Sequence, residues 1–198
     1  MSARVTLYVA RHGQTDANVA GRYPGRRETS LTALGREQAQ AMGRALLAEL
    51  GPRPSLKFVA SPLGRAQATM RLIRAELGMA PDGFATDARL LDIDHGDWTG
   101  LTVDEVRARF PENFVQHTTG RWDVAMQGGE SYADLAARVR SFLADVDSDI
   151  VTVSHGATSQ MLRGLPVGMD PVRIIQLEET QGVVFRVRDG EIATLTGA

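Results

Sequence analysis

The chain has 198 residues, 43% of them hydrophobic and 23% charged, with a formal net charge of −2. Those values suit a soluble globular domain large enough to bury a core without a covalent staple. It contains no cysteine, which excludes thiol catalysis, iron–sulfur clusters and Cys-based zinc sites and leaves any chemistry to His, Ser, Asp, Glu and Arg. The slight acidic excess speaks against a general binder of nucleic acid or of anionic membranes. Any anion must then be held locally. The apolar run Val5 to Ala10 is too short for a signal-peptide core, and no stretch approaches the roughly 18 residues of a membrane helix, so a cytoplasmic protein is expected. Of the 22 basic residues only Lys57 is a lysine. Genomic bias explains that, and so would a need for bidentate anion recognition; position alone separates the two.

In chain order, Val5 to Ala10 reads as a buried strand that ends at Arg11-His12-Gly13. Leu31 to Leu50 carries apolar residues at spacings of three and four, with Thr32 as N-cap and Gly51-Pro52 as stop, and predicts a helix. Leu56 to Ala60 is a second strand. Ser61-Pro62 then supplies an N-cap and a first-turn proline for a helix to about Leu77. Phe84 to Asp87 is briefly extended, and Arg89 to Trp98 reads as a loop at a strand edge. Leu101 to Arg109 looks helical and stops before Pro111. Glu112 to Gly129 has weak periodicity and reads as an excursion over the surface. Glu130 to Val146 predicts a helix, Asp149 to Ser154 the clearest strand, and His155-Gly156 the start of another helix. Gly182 to Leu195 predicts a hairpin turning at Asp189-Gly190. There is no repeat and no linker. Alternation of this kind predicts an α/β fold, a three-layer α/β/α sandwich on a mostly parallel sheet, in one domain spanning 1–198 with a cap-like excursion at about 100–130.

Ligands of such sheets bind beyond the carboxyl ends of the strands. Three predicted strands end there in reactive residues: Arg11 and His12, Ser61 with Arg65 one turn later, and His155 with Gly156. If those strands are neighbours, two imidazoles and two guanidiniums share one small volume, which only an anion makes tolerable. Helix N-termini after Ser61 and His155 would add N–H donors. Singly, each has a plainer reading, since His155 can be a core histidine at a helix start and Arg65 an exposed surface residue. Their joint placement at strand ends favours a site.

The residues Leu7 to Asn18 around Arg11-His12-Gly13 resemble the signature of the histidine phosphatase superfamily, which includes the cofactor-dependent phosphoglycerate mutases. The likeness continues through Gly25, Leu31 to Gly35, Ser61 to Thr69, Asp92 to Leu101, Gly128 to Ser131 and Val153 to Gly156, in the family's order. It implies a phosphoglycerate mutase-like fold, His12 as the nucleophile that forms a phosphohistidine, and Arg11, Arg65 and His155 as holders of the phosphoryl oxygens. Thr15, Asn18, Gly25 and the N–H of Gly156 join the substrate-binding set. A nucleophilic imidazole must be neutral, so one ring nitrogen should donate to a fixed acceptor such as a backbone carbonyl. His155 is expected to be cationic in the complex. No metal and no cofactor are required. The family usually places glutamate where this chain has Asp92, although some members use aspartate; Asp92 is taken as general acid, with Asp94 in reserve. Asp97 reads as a solvated charge, His95 as a packing or rim residue, and His117 carries no assigned role.

The mutases of this family carry a lysine and an adjacent arginine pair after the acid, together with a longer insertion and tail. This chain has only the separated Arg107, Arg109 and Arg121 there, beside Trp98, Phe110, Phe114, Trp122 and Met126, which form either a partly apolar cap or the small core beneath it. The expected activity is therefore hydrolysis of a phosphomonoester of a small phosphorylated metabolite, with neither nucleic acid nor membrane as partner. The alternatives are a phosphoglycerate mutase, a catalytically weak phospho-ligand-binding regulator, and an unrelated nucleotide-binding α/β protein. A weak regulator should have lost His12 or an arginine, and a nucleotide binder should show a Gly-rich loop after the first strand. A homodimer is left open.

Overall fold

A computed structural model describes residues 5–197. Its six strands are β1 (Leu7–Arg11), β2 (Lys57–Ala60), β3 (Ala85–Thr86), β4 (Ile150–Ser154), β5 (Val184–Arg188) and β6 (Glu191–Leu195). They form one sheet in the order β3-β2-β4-β1-β5-β6. The first four run parallel, β5 runs antiparallel to β1 and β6 antiparallel to β5, as expected of a mostly parallel α/β sheet. β1 and β4 are buried along almost their whole length, which is why both read as continuous β-branched and apolar runs rather than alternating ones.

The helices are α1 (Asp16–Val19), α2 (Ala33–Leu50), α3 (Gly64–Glu76), α4 (Val103–Arg109), α5 (Pro111–Thr119), α6 (Tyr132–Ala144), α7 (Gly156–Gly164) and α8 (Pro171–Ile175). One core layer joins Tyr8, Ala10, Phe58 and Val151 of the sheet to Met42 and Leu46 of α2 and to Met70 and Ile73 of α3. The other joins Leu7, Val9 and Ile150 to Leu135 and Val139 of α6 and to Met161 and Leu162 of α7. Adjacent residues of one strand thus serve opposite faces, and the sheet is sandwiched.

The register decides where the site lies. Arg11 pairs with Ser154, and Ala60 with Val153, so β1, β4 and β2 end level and their next residues emerge side by side. Tight packing holds the loop after β1 against α2: a Cβ on Gly13 would fall 2.1 Å from the carbonyl oxygen of Gly35, so only glycine fits there. Helix α2 begins as read, with the Thr32 hydroxyl accepting from the Gly35 N–H at 3.0 Å. The hairpin turn holds too, Asp189 and Gly190 both having positive φ, 53° and 82°, as a two-residue type I′ turn demands.

Two readings need correction. α3 starts at Gly64 after Leu63, without a side-chain cap; Ser61 is not its N-cap because its hydroxyl serves the site described below. The stretch 111–119, read as irregular, is the helix α5 with Pro111 in its first turn. Its weak periodicity reflects a face that is mostly solvated, with His117 its one fully buried side chain. The short helix α8, capped by Asp170, was not anticipated.

Candidate active site

His12 follows β1 directly, and its N–H donates to the carbonyl of Ser154 at 2.9 Å, extending the ladder by one residue and fixing the backbone. Its ring is buried, with Nδ1 2.8 Å from the carbonyl oxygen of Gly13. A carbonyl only accepts, so Nδ1 carries the hydrogen and Nε2 presents its lone pair. Arg65 Nε donates toward that same Nε2 at 3.2 Å, which requires the same tautomer. Burial, then the charges of Arg65 and Arg11, lowers the His12 pKa to about 3. The ring is a neutral imidazole throughout the physiological range.

Arg65 is 1% exposed and each of its three nitrogens is used. Nη1 donates to the carbonyl of Arg27 at 2.8 Å, Nη2 to that of Gly25 at 2.7 Å and to Asp92 Oδ2 at 3.1 Å. The loop carrying Gly25 therefore acts on the site through Arg65, and Gly25 itself does not line the cavity. His155, fully buried, has Nε2 2.8 Å from Ser61 Oγ and stands at 5.2 Å from His12 between ring centroids. Its Nδ1 is buried without a hydrogen bond, 3.8 Å from Asp92 Oδ2. Burial first, then His12, Arg65 and Arg11, depresses its pKa well below the usual value. Burial thus favours the neutral form of His155 in this structure; the imidazolium is an expectation for the phosphoryl complex.

Asp92 meets both: Oδ2 lies between Arg65 and His155, while Oδ1 accepts from the Ile93 N–H at 3.0 Å. Arg138 of α6 fastens the segment, donating to the carbonyls of Arg89, Leu91 and Asp92 at 2.7, 2.9 and 3.0 Å and pairing with Glu130 at 3.0 Å. Asp94 points elsewhere, paired with Arg26 at 3.1 Å and accepting from the Gly96 N–H. Thr15 is buried in a reciprocal capping box with Asn18 and does not line the cavity. Asn18 does line it; its Oδ1 is taken by Thr15 and by Gln181 Nε2 at 3.2 Å, which leaves its amide nitrogen as the spare donor.

A cavity of about 260 Å³ is lined by Arg11, His12, Asn18, Asp92, Gly156 and Glu179 among others, while the buried Arg65 and His155 stand behind that lining, against His12 and Asp92. Beside this cavity lies a second of about 320 Å³, walled by Trp98, Phe114, His117 and Met126. Tyr23, Ile93, His95, Arg121 and Tyr132 line both. His95 is thus a rim residue, its ring 5.0 Å from that of Tyr23. His117 bonds the Val124 carbonyl through Nδ1 at 2.7 Å. The arrangement is a polar floor rich in arginine and histidine beside a mostly apolar chamber.

Residues 7–196 match the family model described as histidine phosphatase superfamily (branch 1). The chain belongs to that superfamily. Among curated relatives of this chain, a 2,3-bisphosphoglycerate-dependent phosphoglycerate mutase of Rhizobium meliloti (strain 1021) is 35% identical over 188 residues, 90% of this chain and 87% of that one. Phosphoserine phosphatase 1 of Hydrogenobacter thermophilus is 29% identical over 201 residues, 92% of each chain. Among solved structures, the α-ribazole phosphatase of Shigella flexneri superposes with a TM-score of 0.81 at 25% identity, covering 98% of this chain and 96% of that one. A mycobacterial glucosyl-3-phosphoglycerate phosphatase, in complex with VO3, gives 0.78 at 28% identity over 99% and 100%. The mutase of Chelativorans sp. (strain BNC1) matches over 96% of both chains, so chain length does not separate the two activities here.

Several residues at the candidate site carry no signal in the sequence. Arg138, Gln181 and Glu179 carry no local motif and reach the site from elements 46 to 169 residues away in sequence. Ser61 was noticed for its strand-end position and given the wrong task.

Proposed function

We propose that this member of the superfamily hydrolyses phosphomonoesters of small metabolites through a phosphohistidine at His12. The observation that carries the reading is the Nδ1–H to Gly13 bond, which braces the ring and leaves Nε2 unprotonated, its lone pair meeting only the Arg65 Nε donor at 3.2 Å that an incoming phosphoryl group displaces. In the first step Nε2 forms a bond to phosphorus as the ester P–O bond breaks, and a protonated Asp92 gives its proton to the departing alkoxide. Arg11, Arg65, His155 and the N–H of Gly156 stabilise the charge spread over the equatorial oxygens. In the second step Asp92, now a carboxylate, takes a proton from water as the oxygen attacks phosphorus and the P–N bond breaks. His12 returns neutral, its Nδ1 proton never having moved.

Hydrolysis is preferred to phosphoryl exchange between two phosphoglycerates because the cavity offers a second anion little. The one lysine, Lys57, pairs with Asp147 at 2.5 Å, outside the cavity lining. Arg121 donates to the Tyr132 hydroxyl and lies over its ring at 4.6 Å. We further propose that the whole chain acts as one domain, with the α4–α5 excursion roofing the leaving-group chamber, that the reaction needs no metal, and that the setting is cytoplasmic. Among the described residues no helix is long and apolar enough to cross a membrane. The test is phosphate release from a panel of phosphomonoesters, with 3-phosphoglycerate plus its bisphosphate cofactor as the mutase arm. Release of phosphate from several esters without isomerisation is expected; isomerisation outrunning release would overturn the reading.

A further inference from the structure

Between α8 and β5 the chain crosses the carboxyl ends of the strands, and side chains from three other places pin it there. Gln160 Nε2 donates to the Leu177 carbonyl at 2.6 Å, Arg163 to that of Glu178 and Arg11 to that of Glu179. Gln181 in turn donates to the His12 carbonyl at 3.0 Å. Gln160 and Arg163 are both buried, so the backbone of this strap is fixed. The carboxylate it carries is not. Glu179 is 36% exposed in its side chain, and its one ion-pair partner among the described residues is Arg11 Nη1 at 3.6 Å, too far for a hydrogen bond.

That loosely held carboxylate lines the anion cavity. It lies against the first residue of α7, where a Cβ on Gly156 would fall 2.0 Å from Glu179 Oε2. An acidic group therefore stands beside the helix N-terminus and the guanidinium that a phosphoryl group needs. We propose that Glu179 is a specificity-determining residue, an anionic gatepost that rejects esters bearing a second negative charge close to the phosphoryl group. This rests on the hydrolase reading above and narrows its substrates to esters whose alcohol part is neutral or cationic. One phosphoryl group, met by Arg11 and a helix N-terminus with Arg65 behind them, overcomes the gatepost; a further carboxylate or phosphate beside Glu179 meets like charge, while the other arginines of the lining are engaged elsewhere, Arg22 with Glu105 at 2.7 Å and Arg121 with Tyr132.

The experiment compares the full chain with Glu179→Gln and Glu179→Asp on sn-glycerol 3-phosphate and 3-phosphoglycerate, which share a skeleton and differ by one carboxylate. Glu179→Gln is expected to raise kcat/KM for phosphoglycerate relative to glycerol phosphate by about tenfold, the scale of one like-charge repulsion at a partly wet site. The gain should lie in KM, and Glu179→Asp should keep most of the discrimination. An unchanged ratio, or equal losses on both esters, overturns the gatepost; so does a gain shared by Glu179→Asp. If neither ester is hydrolysed, the hydrolase reading fails for them, and both become inert ligands. Calorimetric dissociation constants on the same proteins then decide the gatepost by the same ratio, and absence of binding to either protein overturns both ideas.

Discussion

At the ends of β1, β2 and β4 the functional side chains are held mainly by backbone atoms and buried polar partners, whereas the wall built by Trp98 and α5 meets through aromatic faces. His12 leans on the Gly13 carbonyl, Arg65 on two further carbonyls, and Asp92 on an N–H and an anchored loop. Across the cavity, Trp98 meets Phe114 at 6.0 Å and His117 at 5.2 Å between centroids. Hydrogen bonds to backbone fix orientation to within tenths of an ångström, while aromatic packing fixes volume and tolerates exchange. On the proposed reading, the floor sets which reaction occurs, and the wall shapes the room left for the departing alcohol.

The sharpest break of this contrast is His12→Ala. Loss of turnover by a factor on the order of 10³ or more is expected, with the melting temperature within a few degrees of wild type. A variant retaining several per cent of activity would move the chemistry away from the floor. Next is Asp92→Asn, expected to slow an alkyl phosphate by roughly 10²-fold or more and p-nitrophenyl phosphate far less, because an aryl oxide leaves without a proton. Parallel losses with both esters, absent a burst, would instead mark Asp92 as structural, and a contrast following Asp94→Asn would transfer the role.

Charge on the floor also governs stability. His12 is neutral when folded, with its pKa lowered from 6.5 to about 3, so the unfolded chain binds more protons between those values and stability rises with pH there. The stabilisation is fully present above about pH 6.5 and is lost as the pH falls toward 3. Thermal midpoints should therefore fall from pH 7 to pH 4, less steeply in His12→Asn; identical slopes would mean that His12 titrates normally. His155 contributes in the same direction.

The wall should respond more gently. Phe114→Ala is expected to raise KM several-fold for esters with bulky alcohols while leaving the inhibition constant of inorganic phosphate unchanged. A matching change in phosphate affinity would show that wall and floor are not separable. Smallest of all, EDTA should leave the rate as it is, and inactivation reversed by a divalent cation would bring a metal into the floor.

The same contrast explains what was legible in the sequence. Strands β1 and β4 announced themselves because burial on both faces demands unbroken apolar runs, and the level ends of the strands then placed His12, Arg65 and His155 together. Even the backbone acceptor for His12 followed from the need for a neutral nucleophile. Helix α5 was missed because its folding depends on a few side chains packed onto Trp98 and neighbours rather than on a full apolar stripe. Glu179 was invisible for another reason: nothing near it in the sequence says that Arg11, 168 residues earlier, waits beside it. Ser61 had two sensible uses, and the short distance to His155 selected the one that a local capping rule does not consider.

The most direct measurement is to quench the protein in alkali during turnover of a reactive phosphomonoester and map the trapped phosphoryl group by mass spectrometry. One phosphoryl group on the peptide carrying His12, stable in base, labile in acid and absent from His12→Ala, is the expected result. Full turnover with no phosphoprotein at any quench time, or with the group on another side chain, would contradict the covalent role of His12.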